Sequence, residues 1–391
     1  MTLPLSGIKV IDLTQVMLGP CATQLLGDFG ADVIKIERPG QGDLSRWSIP
    51  DPAGLDNPVF CSLNRNKRSI ALNLKEETAR AIVRELARSA DVIVNNFRPE
   101  VMERMGLGYD RLREENPRIV YAFGTGFGRS GPYAHKGGQD VLAQAMTGVM
   151  ARKADPEHPL AIYATALADY SAAMHLVQGI LLALLHRERT GTGQVVDVSL
   201  YDSMLAMQTQ EASMWLMRNE DLNWAAMPLS GVFETRDGAL VLVGAFKENP
   251  LRDICAALEI EDLSLEERFG DMERMRKNRS ELQALFRGRF REETTAHWIE
   301  RLEAQDLLCS PVRSLPQALD DPQTAVNGML LEARGRSETI RMVGAPVHLS
   351  DGAAAIRHPP PHLGEHTEEI LRELGYDSAR IERLRQQGVL A

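Results

Sequence analysis

Two carboxylates stand where short loops give way to apolar helical runs, the place in a chain where a charged oxygen is easily held and aimed. Asp169 lies in Ala168-Asp169-Tyr170, just ahead of a long apolar stretch, and Asp140 lies in Gly137-Gly138-Gln139-Asp140-Val141. Unpaired N–H groups and the positive end of the helix dipole favour an anion at such a junction, so each residue can serve as an N-cap. The same position holds a carboxylate ionised and pointed at a ligand, which leaves a nucleophilic role open to it. On residue type and spacing alone, capping is the better-supported role for Asp169, and Asp140 is the runner-up carboxylate. Cap and nucleophile are compatible roles.

The stretch Gly126-Phe127-Gly128-Arg129-Ser130-Gly131 matches GxGxxG after a strand-like run, the spacing of a dinucleotide-binding turn. Pro132-Tyr133 follows where a helix should open, and no acidic residue stands at the offset of about 20 that would hold a ribose. The better reading is a glycine-rich loop bordering a different pocket. A group of cations, the tract Asn64-Arg65-Asn66-Lys67-Arg68 with Arg38, Lys75, Arg98 and Arg104, falls near predicted strand ends of the N-terminal half. Singly, each reads as a solvated surface charge. Together, on an acidic chain, they point to a phosphate-bearing ligand, because arginine forks bind phosphate bidentately. The nine histidines show no HExxH spacing, no GxSxG elbow exists, and Cys21, Cys61, Cys255 and Cys309 lie far apart without CxxC. Neither a metal site, a disulfide framework nor serine-hydrolase chemistry is indicated.

The elements that must position these residues read as alternating strands and helices. Residues 8–13, 32–37, 69–73, 91–94, 118–123 and 194–199 are strand-like, with helical patterns at 20–29, 76–89 and 169–189 between them. That alternation predicts a parallel α/β sheet. From about Gly231 the texture changes to a hairpin around Arg236-Asp237-Gly238 and then charge-rich helices, a candidate second domain, and residues 365–387 return to amphipathic helix. With 391 residues, 44% hydrophobic and 25% charged, the chain has ample core for two domains. Its formal charge of −10 argues against nucleic-acid binding. The strongest apolar run, residues 176–185, is shorter than the roughly 20 residues that span a bilayer. The N-terminus does not resemble a signal peptide. A cytoplasmic enzyme without membrane attachment is the expectation.

Beyond these local readings, the whole chain resembles the family III CoA-transferases, the CaiB/BaiF group that includes formyl-CoA transferase. The likeness runs from Leu5-Ser6-Gly7-Ile8-Lys9-Val10-Ile11-Asp12 and Gly30-Ala31-Asp32-Val33-Ile34-Lys35-Ile36-Glu37-Arg38, through Asn66-Lys67-Arg68-Ser69-Ile70 and Ala90-Asp91-Val92-Ile93-Val94-Asn95-Asn96-Phe97-Arg98. It continues with Leu185-His186-Arg187-Glu188-Arg189-Thr190-Gly191-Thr192-Gly193-Gln194 and closes at Leu363-Gly364-Glu365-His366-Thr367-Glu368-Glu369-Ile370-Leu371. The resemblance implies a Rossmann-like large domain from residues 1–220 and 330–391, a smaller α+β domain over 221–329, and an interlocked homodimer. It makes Asp169 the nucleophile of CoA transfer from an acyl-CoA to a carboxylic acid. Coenzyme A and acyl-CoA are then substrates, with no permanently bound cofactor and no metal. Contacts to CoA are carried over to Val16, Met17 and Leu18, to Arg38, to Leu72, Asn73, Leu74 and Lys75, to Asn96, Phe97 and Arg98, and to Arg104 and Lys136.

Two departures refine this. Formyl-CoA transferase has a glutamine where this chain has Met17, and its polyglycine loop has no counterpart near residues 231–248, which argues against formyl or oxalate substrates. Related racemases place a histidine immediately before the aspartate corresponding to Asp140, whereas Gln139 stands here and cannot exchange a proton at neutral pH. A racemase of acyl-CoA thioesters and a noncatalytic CoA-binding module are the competing readings. Succinyl-CoA as donor and a dicarboxylate or hydroxy acid as acceptor are expected from related enzymes. Arg46, Arg65 and Arg152 are candidates to hold a distal carboxylate.

Overall fold

The computed structural model describes residues 2–49, 57–155, 157–335 and 338–390. The chain divides into two compact units, one of Met1–Val149, Ile162–Gln208 and Gln323–Ala391, the other of Met150–Ala161 and Thr209–Pro322. The first unit thus draws on both chain ends. The second takes in the short segment 150–161, which sequence texture did not separate from its surroundings.

In the first unit, β1 (Lys9–Asp12), β2 (Asp32–Glu37), β3 (Lys67–Ala71), β4 (Val92–Asn95), β5 (Val120–Thr125) and β6 (Val195–Ser199) form one sheet in the order β3-β2-β1-β4-β5-β6. Every pairing is parallel. This is the doubly wound order, in which the direction of strand addition reverses between β1 and β4 and opens a crevice at the carboxyl ends of the strands. Strands such as Val92-Ile93-Val94 are apolar without alternation because both faces are covered. One face packs against helix Glu77–Arg88 through Ile82, Val83 and Leu86, and against the C-terminal helices through Ile370, Leu371, Ile381 and Leu384. The other receives helices Leu18–Asp28, Leu167–Thr190 and Leu200–Met207.

Helix Leu167–Thr190 is long and apolar enough to cross a membrane by length and composition. Its Ala168, Ala172, Leu176 and Ile180 are nevertheless buried in the core beside the sheet. It ends where Gly191 takes φ 75°, a left-handed cap that glycine adopts without a Cβ penalty. The single helix expected over residues 365–387 is two, Thr367–Glu373 and Ser378–Gln386, because the chain turns at Gly375 with φ 84°. The second unit carries an antiparallel sheet of β7 (Ser230–Glu234), β8 (Ala239–Val243) and β9 (Leu308–Pro311), with the expected hairpin between the first two. In the first unit, β10 (Leu330–Arg334) and β11 (Thr339–Val343) form a separate antiparallel pair.

Strand β3 begins two residues before its predicted position, and the shift reassigns the cationic tract. Lys67 lies inside the strand, fully buried, with its ammonium 3.0 Å from Asp12 Oδ2. Arg65 meets Asp28 at 2.7 Å, and Arg68 meets Asp32, Glu369 and Glu373. These cations therefore tie the edge strand to its neighbours and do not form the phosphate site that the sequence suggested. Burial alone would raise the Asp12 carboxyl, but Lys67 and Lys35, with the hydroxyls of Thr14 and Thr23, outweigh it and hold the group well below the usual carboxylate range. Arg46 is likewise spent on Glu37 at 2.8 Å, and Arg152 contacts Asp221 at 3.3 Å, so with Arg65 none is free for a substrate carboxylate.

Candidate active site

The carboxyl ends of β1, β4 and β5 and the residue after β6 surround a cavity of about 420 Å3. Among its described lining residues Asp169 is the only carboxylate, joined by Arg98 and Lys136 as the only cations. Asp169 is the third residue of helix Leu167–Thr190, whose N-cap, Ala166, offers no side-chain bond. Asp140 supplies the missing acceptor from across the fold, its Oδ2 accepting the N–H groups of Ala168 at 2.7 Å and Asp169 at 3.1 Å. Its other oxygen is held by the Gln144 amide. Asp169 thus does not cap its own helix. Asp140 does so, and this frees the Asp169 carboxylate to face the cavity.

The electrostatics also differ from expectation. Burial pushes the Asp169 carboxyl up to about 6, and the nearby Asp140 charge adds to the rise, against a smaller opposing pull from the backbone N–H of Leu18. The helix terminus does not keep it in the ordinary range. A carboxylate that is costly to ionise in its site is more reactive when it is ionised, which suits a nucleophile.

Part of the wall of the same cavity is built from glycines in two loops that touch. A Cβ added to Gly126 would lie 2.3 Å from the Cα of Gly138, and one added to Gly138 would lie 2.3 Å from the Cα of Gly126. Residues 126–139 open no helix until Asp140–Met146, so the GxGxxG match is a cavity loop. A second cavity of about 570 Å3 shares Gln15 and Phe97 with the first and lies at the ends of β2 and β3. Together the two span the reversal point of the sheet.

The residues expected from resemblance fall into three groups. Val16, Met17, Leu18, Asn96, Phe97, Arg98 and Lys136 line the first cavity with Asp169. Arg38, Leu72, Asn73, Leu74, Lys75 and again Phe97 line the second. Arg104 lines neither: it is exposed, 3.9 Å from Glu100. Asn96 is occupied locally, because its amide accepts the Gln15 N–H at 2.9 Å and donates to the Gln15 carbonyl at 2.8 Å. Sequence reading missed Arg80, which lines the second cavity and donates to the carbonyls of Leu74 and Lys75. It also missed Gln15 and Thr125. No motif marks them; only the sheet order brings them to the crevice.

A parallel sheet with its ligand crevice at the reversal point and one half-buried carboxylate in it defines an α/β enzyme that works on a sizeable ligand. The chain belongs to CoA-transferase family III, whose sequence profile matches residues 5–367. It is 37% identical over 398 residues to the succinyl-CoA:glutarate CoA-transferase of Mus musculus, covering 99% of this chain and 90% of that one. It is also 37% identical over 402 residues to an acyl-CoA transferase of Fusarium pseudograminearum, covering 99% and 88%. The crystal structure of a CAIB/BAIF family protein from Brucella suis superposes with a TM-score of 0.85 at 30% identity, covering 96% of this chain and all of that one.

Proposed function

We propose that the enzyme moves CoA from succinyl-CoA to a second carboxylic acid, a dicarboxylate or hydroxy acid, through covalent intermediates on Asp169. The observation that carries this reading is the Asp169 carboxylate itself, the sole one among the described residues lining its cavity, raised to about 6 by burial. Its oxygen adds to the thioester carbonyl, a C–O bond forms, the C–S bond breaks, and CoA leaves as thiolate. The thiolate then attacks the Asp169 carbonyl carbon of this anhydride and expels the donor carboxylate, leaving an aspartyl-CoA thioester. The acceptor carboxylate attacks that thioester and releases CoA thiolate, which attacks the acceptor carbonyl and returns Asp169 as carboxylate. No net proton moves. Donor and intermediate are close in energy, so the main demands are position and exclusion of water. The N–H groups of Gly137 and Gly138, which line the same cavity as Asp169, are suited to the oxyanions of these steps.

The residues lining the two cavities are assigned to CoA, with Arg38 and Lys75 at the second cavity as cations for its phosphates. The dicarboxylate preference rests on the mouse relative, named for succinyl-CoA and glutarate. A racemase needs a second base, and Gln139 lines the cavity where that base would stand. Incubating succinyl-CoA and acetyl-CoA with a panel of acids, and weighing the CoA esters formed, is expected to show succinyl-CoA with a C5 or C4 dicarboxylate as the fastest pair. Hydroxylamine should displace CoA from the activated Asp169 carboxyl during turnover and leave Asp169 as its hydroxamate. Deuterium exchange at the α-carbon with no CoA ester formed would instead establish the racemase, and CoA binding with no turnover would establish a binding module.

The active form is further proposed to be an interlocked homodimer. Exposed apolar side chains, Leu182 at 66% and Leu185 at 53% on helix Leu167–Thr190 of the first unit and, separately, Leu216 at 83% in the second, support apolar surface on each unit that a second copy covers. A monomeric mass by sedimentation at micromolar concentration would refute it.

A further inference from the structure

Val16 has φ 67°, a left-handed conformation that a β-branched side chain strongly disfavours. Such an outlier persists only where the surroundings over-determine it, and three consecutive backbone positions are indeed held by polar side chains from elsewhere in the unit. Thr14 gives its N–H to Asp12 at 2.8 Å and its carbonyl accepts Lys35 Nζ at 2.9 Å. Gln15 is held on both backbone groups by Asn96. The Val16 N–H donates to Asp43 Oδ1 at 3.0 Å.

Asp43 is itself fixed from every side. The same Oδ1 accepts the N–H and hydroxyl of Ser45, each at 2.9 Å, while Oδ2 meets Lys35 Nζ at 2.8 Å with both side chains fully buried. Its own N–H donates to Glu37 Oε2 at 2.9 Å, and Glu37 is clamped by Arg46. Asp43 is absent from the lining of both cavities, so its arrangement is not spent on a ligand. What it does touch is the residue immediately before Met17 and Leu18, which line the cavity with Asp169.

We propose that Asp43 is a positioning residue of the transfer site: by accepting the Val16 N–H it locks residues 15–18 in the left-handed turn that presents Met17 and Leu18 to Asp169. The proposal rests on Asp169 being the nucleophile. Without the anchor, valine at position 16 relaxes to negative φ, the peptide planes on either side rotate, and the loop leaves the geometry that faces Asp169. The buried Lys35 neutralises the anchor so that a charged acceptor can be kept inside the fold.

The test separates the anchor from the charge. In a Lys35→Met chain, which leaves no buried lysine without its partner, Asp43→Asn keeps a carbonyl oxygen for the Val16 N–H and Asp43→Ala removes it. With the fastest donor and acceptor pair, kcat is expected to be about tenfold lower for Asp43→Ala than for Asp43→Asn. Adding Val16→Gly to both chains should shrink that difference below about threefold, because glycine takes positive φ without an anchor. Melting curves confirm folding at the assay temperature; where a chain fails, the same comparison is made with Lys35 retained. A difference that Val16→Gly leaves unchanged, or no difference between Asp43→Asn and Asp43→Ala, overturns the proposal. An Asp169→Asn chain assayed in parallel keeps the two readings apart. If it still transfers CoA, the nucleophile assignment falls, and the Asp43 comparison is then decided by CoA affinity measured by calorimetry, which the same loop carries.

Discussion

Replacing Asp169 by asparagine is expected to remove CoA transfer, by about 10⁴-fold or more, while making the folded chain more stable at pH 7.5. Both effects come from one carboxylate. Asparagine keeps the shape but has no oxygen nucleophilic enough to open a thioester. The stability gain follows from the raised pKa, which moves from 3.8 to about 6 as burial and then Asp140 disfavour the charge. A folded value above the unfolded one means that the folded chain holds this proton more tightly. The group's favourable contribution is therefore complete below pH 3.8 and is lost as pH rises through 6. At pH 7.5 the parent bears the cost of an ionised, partly buried carboxylate, and the neutral amide does not. A rise from 3.8 to about 6 corresponds to at most about 3 kcal/mol, and partial exposure of the side chain reduces this to about 1–2 kcal/mol. Thermal melts at pH 7.5 and pH 4 check it: the variant should melt higher at the first and nearly level with the parent at the second. A melting difference independent of pH would show that Asp169 is not the group responsible. The same titration places the acid limb of kcat/KM near pH 6, in contrast to the pH 4 of an exposed aspartate.

This coupling explains why the site was only half legible in the sequence. Asp169 and Asp140 were visible as acids at helix starts, because a loop ending in an acidic residue before an apolar run is a local pattern. Which of them caps which helix was not visible, since the answer lies in a contact between residues 29 positions apart. The six-stranded sheet followed from alternating β-branched runs and helical stretches, which depend on neighbouring residues alone. β3 was misplaced because Lys67 and Arg68 look like loop residues, and only their distant partners Asp12, Asp32, Glu369 and Glu373 make them buried strand residues. The rejection of a dinucleotide turn at residues 126–131 succeeded for a local reason as well, the proline and tyrosine where a helix would begin. Arg80 and Asp43 had no local signature at all. Both act on the backbone of other loops, so their importance appears only once the chain is folded.

The two glycine loops give the second large effect. Gly126→Ala should lower kcat about 100-fold, the cost expected when a reacting group is displaced by about 1 Å. The new methyl would meet the Cα of Gly138 at 2.3 Å, and a backbone atom cannot step aside by changing rotamer. The loops must separate, and the one that moves leads through Gln139 into Asp140, whose carboxylate holds the N–H groups of Ala168 and Asp169. Displacement at Gly138 is therefore handed to Asp169 itself, along with the N–H groups proposed for the oxyanions. CoA affinity should change much less, because Arg38 and residues 72–75, proposed to hold CoA, lie at the other cavity. Gly128→Ala is the matched control. Gly128 belongs to the same loop and has φ 88°, but an added Cβ meets nothing within 4 Å, so the substitution strains the backbone without parting the loops. Its kcat should fall less than about tenfold. Gly138→Ala fills the same gap from the other side, so the Gly126→Ala, Gly138→Ala double variant should lose little more than the worse single one, since the loops have already parted. Losses that multiply would mean that the two glycines serve separate purposes, and that their contact is not what places Asp169.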